Sequence, residues 1–426
     1  MTGSRLTTMI FVGMLLGIAV GYACSITWPD PQTAKEIAGY IALVSDVFLR
    51  LIKMIIAPLV FSTLVVGIAH LGDTAAVGRV GGKALLWFVG ASFCSLMLGL
   101  ILVNLMQPGV NLNLPLPDVG AGTGLKTASL SLKEFVTHLV PKSAVEAMAN
   151  NEILQIVVFS IFFGVALAAL GEKGHLLAQG IEGLAEVMLK VTGYVMMFAP
   201  VAVFAAIAAT ITTQGIGVLV TYGKFLIEFY IGLAVLWALL MGVGFLMLGG
   251  GGIMRLINLI KEPFVLAFST ASSEAAYPKM LTNLERFGVP NRITSFVLPM
   301  GYSFNLDGSM MYCTFAVMFI AQAYNIPLTW GQQLTMLFLL MVTSKGMAGV
   351  PRASLVVISA TLAQFNIPEA GLLLIIGIDQ FLDMGRSATN VLGNSVATVA
   401  VAKWEGQLTA SDQRLDQVGT VPSPAE

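Results

Sequence analysis

Residues 377–403 read GIDQFLDMGRSATNVLGNSVATVAVAK, and the polar side chains Asp379, Asp383, Arg386, Asn390 and Asn394 follow one another at intervals of four, three, four and four positions. An α-helix stacks residues three and four apart, so all five would lie on one face. The remainder is apolar or small, and between Arg352 and Lys403 the only further charge beyond the two aspartates and Arg386 is Glu369. A charge at the centre of a bilayer costs roughly 2.5–3.5 kcal/mol on insertion scales, so these groups must face protein, water or a ligand. Their chemistry suits a solute carrying both signs. Arg386 can grip a carboxylate through a bidentate fork. Asp383, one turn away, can accept an ammonium, and Asn390 can donate to a second carboxylate, with Ser309 and Ser387 as hydroxyl partners. An internal Asp383–Arg386 pair that only neutralises itself is the competing reading. Asn390 and Asn394 extend the stripe beyond what such a pair needs.

The elements that must hold this stripe are apolar. The chain has 426 residues, 57% hydrophobic and 11% charged, with a mean hydropathy of +0.86. Soluble domains carry about 25% charged residues, so the composition is that of an all-α polytopic membrane protein. A net charge of −1 removes any electrostatic case for nucleic acid. Cys24, Cys94 and Cys313 lie singly in apolar segments and suggest neither a disulfide framework nor a metal site. Residues 6–26 form an apolar run of about 20, too long for the core of a signal peptide and right for a span. Further spans are expected at 41–71, 84–106, 152–170, 184–211 and 219–248, with a solvent loop rich in Pro and Gly at 107–132 and a break at the glycines 249–252.

The second half departs from simple spans. Residues 293–344 contain one charged side chain, Asp307, yet NLDGS interrupts them at 305–309. Two half-helices meeting at an unwound Gly308 would explain this. On either side lie 253–287 and 328–366. Each has an apolar arm of about 15 residues that ends in small polar residues and turns at a proline: Ser272, Ser273 and Glu274 before Pro278 in the first, Ser344 to Gly349 before Pro351 in the second. Arms too short to cross fit hairpins that enter and leave on one side, because irregular backbone is tolerated at depth where it lines a cavity. Hairpin plus helix, twice, is a candidate inverted repeat with the ligand between the tips. Arg79, Lys83 and Lys173 mark two short connections, and basic residues flank the first hairpin. The positive-inside rule makes these cytoplasmic and, with eight spans, puts both termini inside. The polar stretch 405–426 is expected to be a disordered cytoplasmic tail.

SSEAAYP, FNLDGS, KGMAGVP and LDMGRSATNVLGN together resemble the dicarboxylate/amino acid:cation symporters, the family of the excitatory amino-acid transporters, over about 6–405. Within it the chain is most similar to bacterial proton/glutamate-aspartate symporters. The resemblance implies eight spans with two re-entrant hairpins in a single unit, 1–404, forming a homotrimer in the bacterial inner membrane. It implies a scaffold of spans 1, 2, 4 and 5 and an elevator-like transport domain of spans 3 and 6, hairpin 253–287, span 292–325, hairpin 328–366 and span 368–403. It assigns substrate roles to Arg386, Asp383, Asn390, Ser309 and the backbone at Val350. Ser272 and Ser273 join them from the first tip, where helix N-termini would favour an anion. The implied function is import of L-glutamate or L-aspartate with protons and without a cofactor. C4-dicarboxylate symport is the alternative, because relatives carrying succinate generally lack an acid where this chain has Asp383.

Sodium-coupled relatives carry an Asp where this chain has Asn394, and Tyr, Thr and Ser where it has Phe88, Ala91 and Ser92. A hard cation wants several oxygen ligands, so these exchanges weaken two sodium sites. A site of backbone carbonyls near Ser303, Ser344 and Met347 stays open, as does the amide of Asn305. A proton needs only a carboxylate in a suitable surrounding. The candidates are Glu274, Asp307 and Asp379, of which Glu274 is preferred, with Lys345 able to stand in for a bound cation. HExxH, GxSxG and GxxxxGK[ST] are all missing from the sequence, which argues against an enzyme. An anion channel is the rival from another class.

Overall fold

The computed structural model describes residues 3–69, 74–110, 140–214, 222–344, 353–376 and 378–409. Every regular element among them is helical. The first half comprises α1 (Gly3–Thr27), α2 (Pro31–Ala69), α3 (Thr74–Met106), α4 (Ala144–Ala149), α5 (Ile153–Ala169), α6 (His175–Met196) and α7 (Ala199–Gln214). The second comprises α8 (Gly223–Thr270), α9 (Tyr277–Phe287), α10 (Asn291–Phe304), α11 (Asp307–Ala323), α12 (Trp330–Thr343), α13 (Ala353–Gln364), α14 (Leu372–Ile376) and α15 (Asp379–Trp404). Among the described residues five helices are long and apolar enough to cross a membrane, or six if the bent pair α6 and α7 is one span. The apolar α5 has 17 residues, and α15 is too polar to qualify by hydropathy. Large apolar side chains such as Leu15, Leu105, Phe162, Leu176, Leu246 and Phe338 are exposed on many of these helices. Such a surface would associate in water and is at home in lipid, so the chain is an integral membrane protein.

Close helix contacts rest on small residues, as expected where lipid removes the hydrophobic drive between helices. On α1, Gly13, Gly17 and Gly21 repeat every four residues against α7, and a Cβ on Gly17 or Gly21 would lie 2.7 Å from the carbonyl oxygen of Phe204 or Ala208. α2 packs on α5, α6 and α7, while α15 packs on α8, α10, α11 and α3. α10 touches both groups, lying also against α2 and α5.

Three expectations need correction. The segment expected as one span at 184–211 is two helices bent by 53°. Pro200 has no N–H to bond and its ring crowds the preceding turn, which ends α6. The break in 293–344 falls at Asn305 (φ −119°, ψ 64°) and Leu306 (φ −99°, ψ 60°), whereas Gly308 is helical in the first turn of α11. Glycine serves there because α15 runs against it: a Cβ would meet the backbone oxygen of Arg386 at 2.5 Å and its Cα at 2.8 Å. Gly308→Ala is therefore expected to cost about 1–3 kcal/mol through overpacking, seen as a lower melting temperature of the purified protein.

The third correction concerns the expected tail. Residues 405–409 are bound to the body: Glu405 meets Arg79 at 3.0 Å and Lys83 at 2.6 Å, Arg292 Nε donates to Gln407 at 2.9 Å, and Thr409 N–H donates to Gly288 at 3.1 Å. Residues 410–426 lie outside the described ones. Burial raises the Glu405 carboxyl, but hydrogen bonds and charge from Lys83 and Arg79 outweigh it and hold the group below its ordinary value. A carboxyl with a lowered folded-state pKa contributes stability that is full above the unfolded value and disappears as pH falls through the folded one. Glu405→Gln should therefore lower the melting temperature slightly at pH 7, by about 1 kcal/mol or less in stability. That difference should shrink as pH falls below the ordinary value of 4.5 and vanish once pH is below the lowered folded-state value.

Candidate functional site

The stretch 253–287, expected as the first hairpin, is the second part of α8 followed by α9, which packs on it. Gly249 (φ 70°, ψ 173°) kinks α8 and starts the first arm. At the tip Ala271 takes a left-handed conformation (φ 49°), unusual without glycine, and Ser272 N–H closes the end on the carbonyl of Ala267 at 3.1 Å. The return arm is tied back by Asn283 donating to Leu259 at 2.7 Å and by Lys279 paired with Glu262 at 3.3 Å. The tip residues do not join the charged stripe by their side-chain bonds. Ser272 Oγ accepts the N–H of Ala275 at 3.4 Å, and Ser273 precedes a short 3-10 turn at Glu274–Ala276. Glu274 lies beside Tyr277, Pro299, Tyr302 and the α2 residues Ile56 and Val60, with Lys53 acting on it.

Within the stretch expected as the second hairpin lie α12 and α13, which pack on each other. Thr329 and Gln332 form a capping box at the start of α12, which satisfies two otherwise unbonded amide groups. Ser344 ends that arm, buried, with its hydroxyl on Met341 at 3.0 Å. The remainder of this tip, including Lys345, Met347 and Val350, lies outside the described residues.

The stripe on α15 is assembled as its spacing predicts. Asp379, Arg386, Asn390 and Asn394 are each at most 5% exposed, whereas the Asp383 side chain keeps 34% of its surface open. Arg386 bonds Asp383 Oδ1 through Nε at 3.2 Å and Nη2 at 2.9 Å, and the same Nη2 stands 3.6 Å from Asp379 Oδ1. The self-neutralising pair is thus present, but with a second acid and spare capacity: Arg386 Nη1 is buried without a partner among the described residues. Ser387 donates to Asp383 at 3.3 Å. The guanidinium lies 4.3 Å from the ring of Tyr312, whose hydroxyl donates to Asp379 at 3.0 Å. Asn390 joins α15 to the break, accepting the Gly308 N–H at 2.9 Å and donating to Ser309 at 3.4 Å.

One turn deeper, Asn305 Nδ2 donates to Asp307 Oδ2 and to Asn394 Oδ1, both at 3.2 Å, and Ser95 donates to Asp307 Oδ1 at 3.3 Å. Ser303 Oγ, Asn305 Oδ1 and Asn394 Nδ2 are buried without a partner among the described residues. Backbone polar groups opened by the break at Asn305 and Leu306 collect here, because an interrupted helix leaves amides and carbonyls to be met by side chains.

Three positioning residues were not singled out from the sequence. Tyr312 holds both Asp379 and Arg386. Tyr230 on α8 donates to the carbonyl of Phe381 at 2.6 Å, and Trp237 to Thr389 at 2.7 Å, clamping α15. Tyr312 had a signal: it follows Ser309 by three positions and so shares its helix face. The other two lie in the uncharged stretch 229–254 of α8, where nothing marks one aromatic above its neighbours.

Such an arrangement can hold a carboxylate on Arg386 and a cationic group on Asp383. The model of the sodium:dicarboxylate symporter family matches residues 6–404. The chain is 43% identical over 408 residues to a proton/sodium-glutamate symport protein of Bacillus caldotenax, covering 94% of this chain and 95% of that one. It is also 42% identical over 416 residues to a C4-dicarboxylate transport protein of Citrifermentans bemidjiense, covering 96% and 92%. A match of this extent leaves no part of the membrane unit outside it: the chain belongs to the sodium:dicarboxylate symporter family.

Proposed function

We propose that the protein is a secondary active symporter that imports L-glutamate or L-aspartate together with protons. The observation that carries this reading is the geometry at Arg386: a buried guanidinium with a free Nη1 beside the one carboxylate of the stripe that stays open, Asp383. A zwitterion with an extra carboxylate complements both groups. Asn390 and Ser309 lie one turn along to meet the α-carboxylate, and Val350 and the serine tips would complete the enclosure. The relatives named for proton/sodium-glutamate symport support the substrate class.

The spans are read as eight, with α5 and α15 among them, and the two hairpins as re-entrant inverted repeats. α1, α2, α5, α6 and α7 would form the scaffold of a homotrimer surrounded by lipid, and the rest an elevator-like transport domain, with both termini cytoplasmic. No catalytic step is needed.

A second reading, symport of C4-dicarboxylates, has its own support. Asp383 already bonds Arg386 in this structure, and further relatives are named for C4-dicarboxylate transport. Sodium as the driving ion is supported by the unpartnered oxygens of Ser303 and Asn305 beside Asp307. Uptake of labelled aspartate into proteoliposomes, with pH and Na⁺ gradients varied separately, tests all of these. We expect saturable accumulation driven by an inward proton gradient without Na⁺. Accumulation that requires Na⁺ and ignores the pH gradient would reverse the ion, and unsaturable flux without a counter-gradient would indicate a channel.

A further inference from the structure

We infer that Asp379 is the group that takes up the transported proton, and that it does so because the substrate's carboxylate takes Arg386 from it. This rests on the proton-coupled reading above and names its carrier. The site holds two carboxylates and one guanidinium in a region where Asp379 is 5% and Arg386 3% exposed. Their roles differ. Asp383 makes both short contacts to Arg386 and stays open, ready for an ammonium. Asp379 stands behind, at 3.6 Å, too far for a hydrogen bond and held by charge alone on that side. The groups facing Asp379 are Arg386 and Asp383 on its own helix and Tyr312 and Cys313 on α11. Of these only Arg386 is cationic.

When the site is empty, Asp379 stands 3.6 Å from the shared guanidinium, accepts from the Tyr312 hydroxyl at 3.0 Å and lies in the first turn of α15. An incoming side-chain carboxylate needs the Nη1 and Nη2 edge of Arg386, and Nη1 is the vacant donor. It therefore displaces Asp379's share of the cation and sets a second anion beside it. The substrate ammonium meets Asp383, its side-chain carboxylate meets Arg386 and its α-carboxylate meets the neutral donors Asn390 and Ser309, which leaves Asp379 as the one charge of the protein's stripe without a match. A proton from cavity water closes that balance as it adds to an Asp379 oxygen, and it leaves to water on the other side when the substrate goes and Arg386 returns. Glu274 lies apart, against Ile56 and Val60 of α2 and Tyr302 of α10.

Because coupling between two ligands is reciprocal, one proton linked to binding makes the aspartate Kd tighten by about tenfold for each unit fall in pH while Asp379 is ionised in the free protein. Calorimetry on the purified full-length protein, in Na⁺-free buffers of different ionisation enthalpy, should show about one proton taken up per aspartate bound. Asp379→Asn should flatten the pH slope and abolish that uptake. Tyr312→Phe, which removes a donor to the ionised form, should keep the slope and move its midpoint to higher pH. It decides the matter if the first variant does not fold. A wild-type slope in Asp379→Asn, an unmoved midpoint in Tyr312→Phe, or loss of proton uptake in Glu274→Gln alone would overturn the assignment while leaving proton coupling intact. A wild-type protein that binds aspartate with no proton uptake would overturn both.

Discussion

Arg386→Ala should reduce uptake of aspartate, glutamate and C4-dicarboxylates to background, a loss of at least about 100-fold. Arg386 is the one cation in the stripe, and a single buried charge pair of this kind is worth about 3–5 kcal/mol when one partner is removed. The loss has two parts. A substrate carboxylate has nothing to meet, and Asp379 and Asp383 are left facing each other without compensation. Arg386→Lys separates the two effects. It keeps the charge but replaces the planar fork by a point donor, so the protein should be retained in the membrane at near wild-type level while uptake falls about tenfold or more. Initial rates in proteoliposomes, normalised to folded protein by size-exclusion chromatography, read both variants. Uptake by the alanine variant within a few-fold of wild type would remove the binding site from α15.

Asp383→Asn is expected to change which solutes are carried. The carboxylate that would take the ammonium becomes an amide, so aspartate and glutamate lose a charge-assisted bond, worth roughly 1.5–3 kcal/mol, and with it about 10- to 150-fold in apparent affinity. A C4-dicarboxylate has no ammonium, and it gains because Arg386 is released from its partner at 2.9 Å. Succinate should then inhibit residual transport better than aspartate does, the reverse of the wild-type order. Competition assays with the two solutes give the answer directly. If succinate and aspartate compete equally in the wild type, Asp383 is a structural partner of Arg386 and C4-dicarboxylate symport becomes the better reading.

Much of this was legible from spacing because the stripe is local. A helix fixes the relation of residues three and four apart whatever surrounds it, so Asp379, Asp383, Arg386, Asn390 and Asn394 could be placed on one face of α15 directly. The turn at 271–274 was legible for a similar reason: a polar tip between apolar stretches is composition, and Ala271 to Glu274 do interrupt the helices there. Gly308 shows the opposite case. Glycine next to asparagine and aspartate reads as an unwound link, yet the need for glycine comes from Arg386 on a helix about 80 residues later, and no local pattern carries that. The bend at Met197 and Phe198 was hidden in an apolar run where hydropathy alone is blind to Pro200. Residues 405–409 read as a polar tail because their partners, Arg79, Lys83, Arg292 and Gly288, are distant in the chain.

By itself the sequence determined an all-helical membrane protein, the face of α15 that carries charge, and the kind of solute such charges suit. Periodicity and composition act over a few turns, and these properties need no more. Only the tertiary structure decided that Arg386 is shared between two acids, that Tyr312 lies against the guanidinium while bonding Asp379, and that Asn390 is anchored to the break between α10 and α11. The contacts of Tyr312 and Asn390 join α15 to residues 67 to 82 positions earlier, so they depend on packing in three dimensions, where the low polarity of the surroundings makes each charge seek a partner.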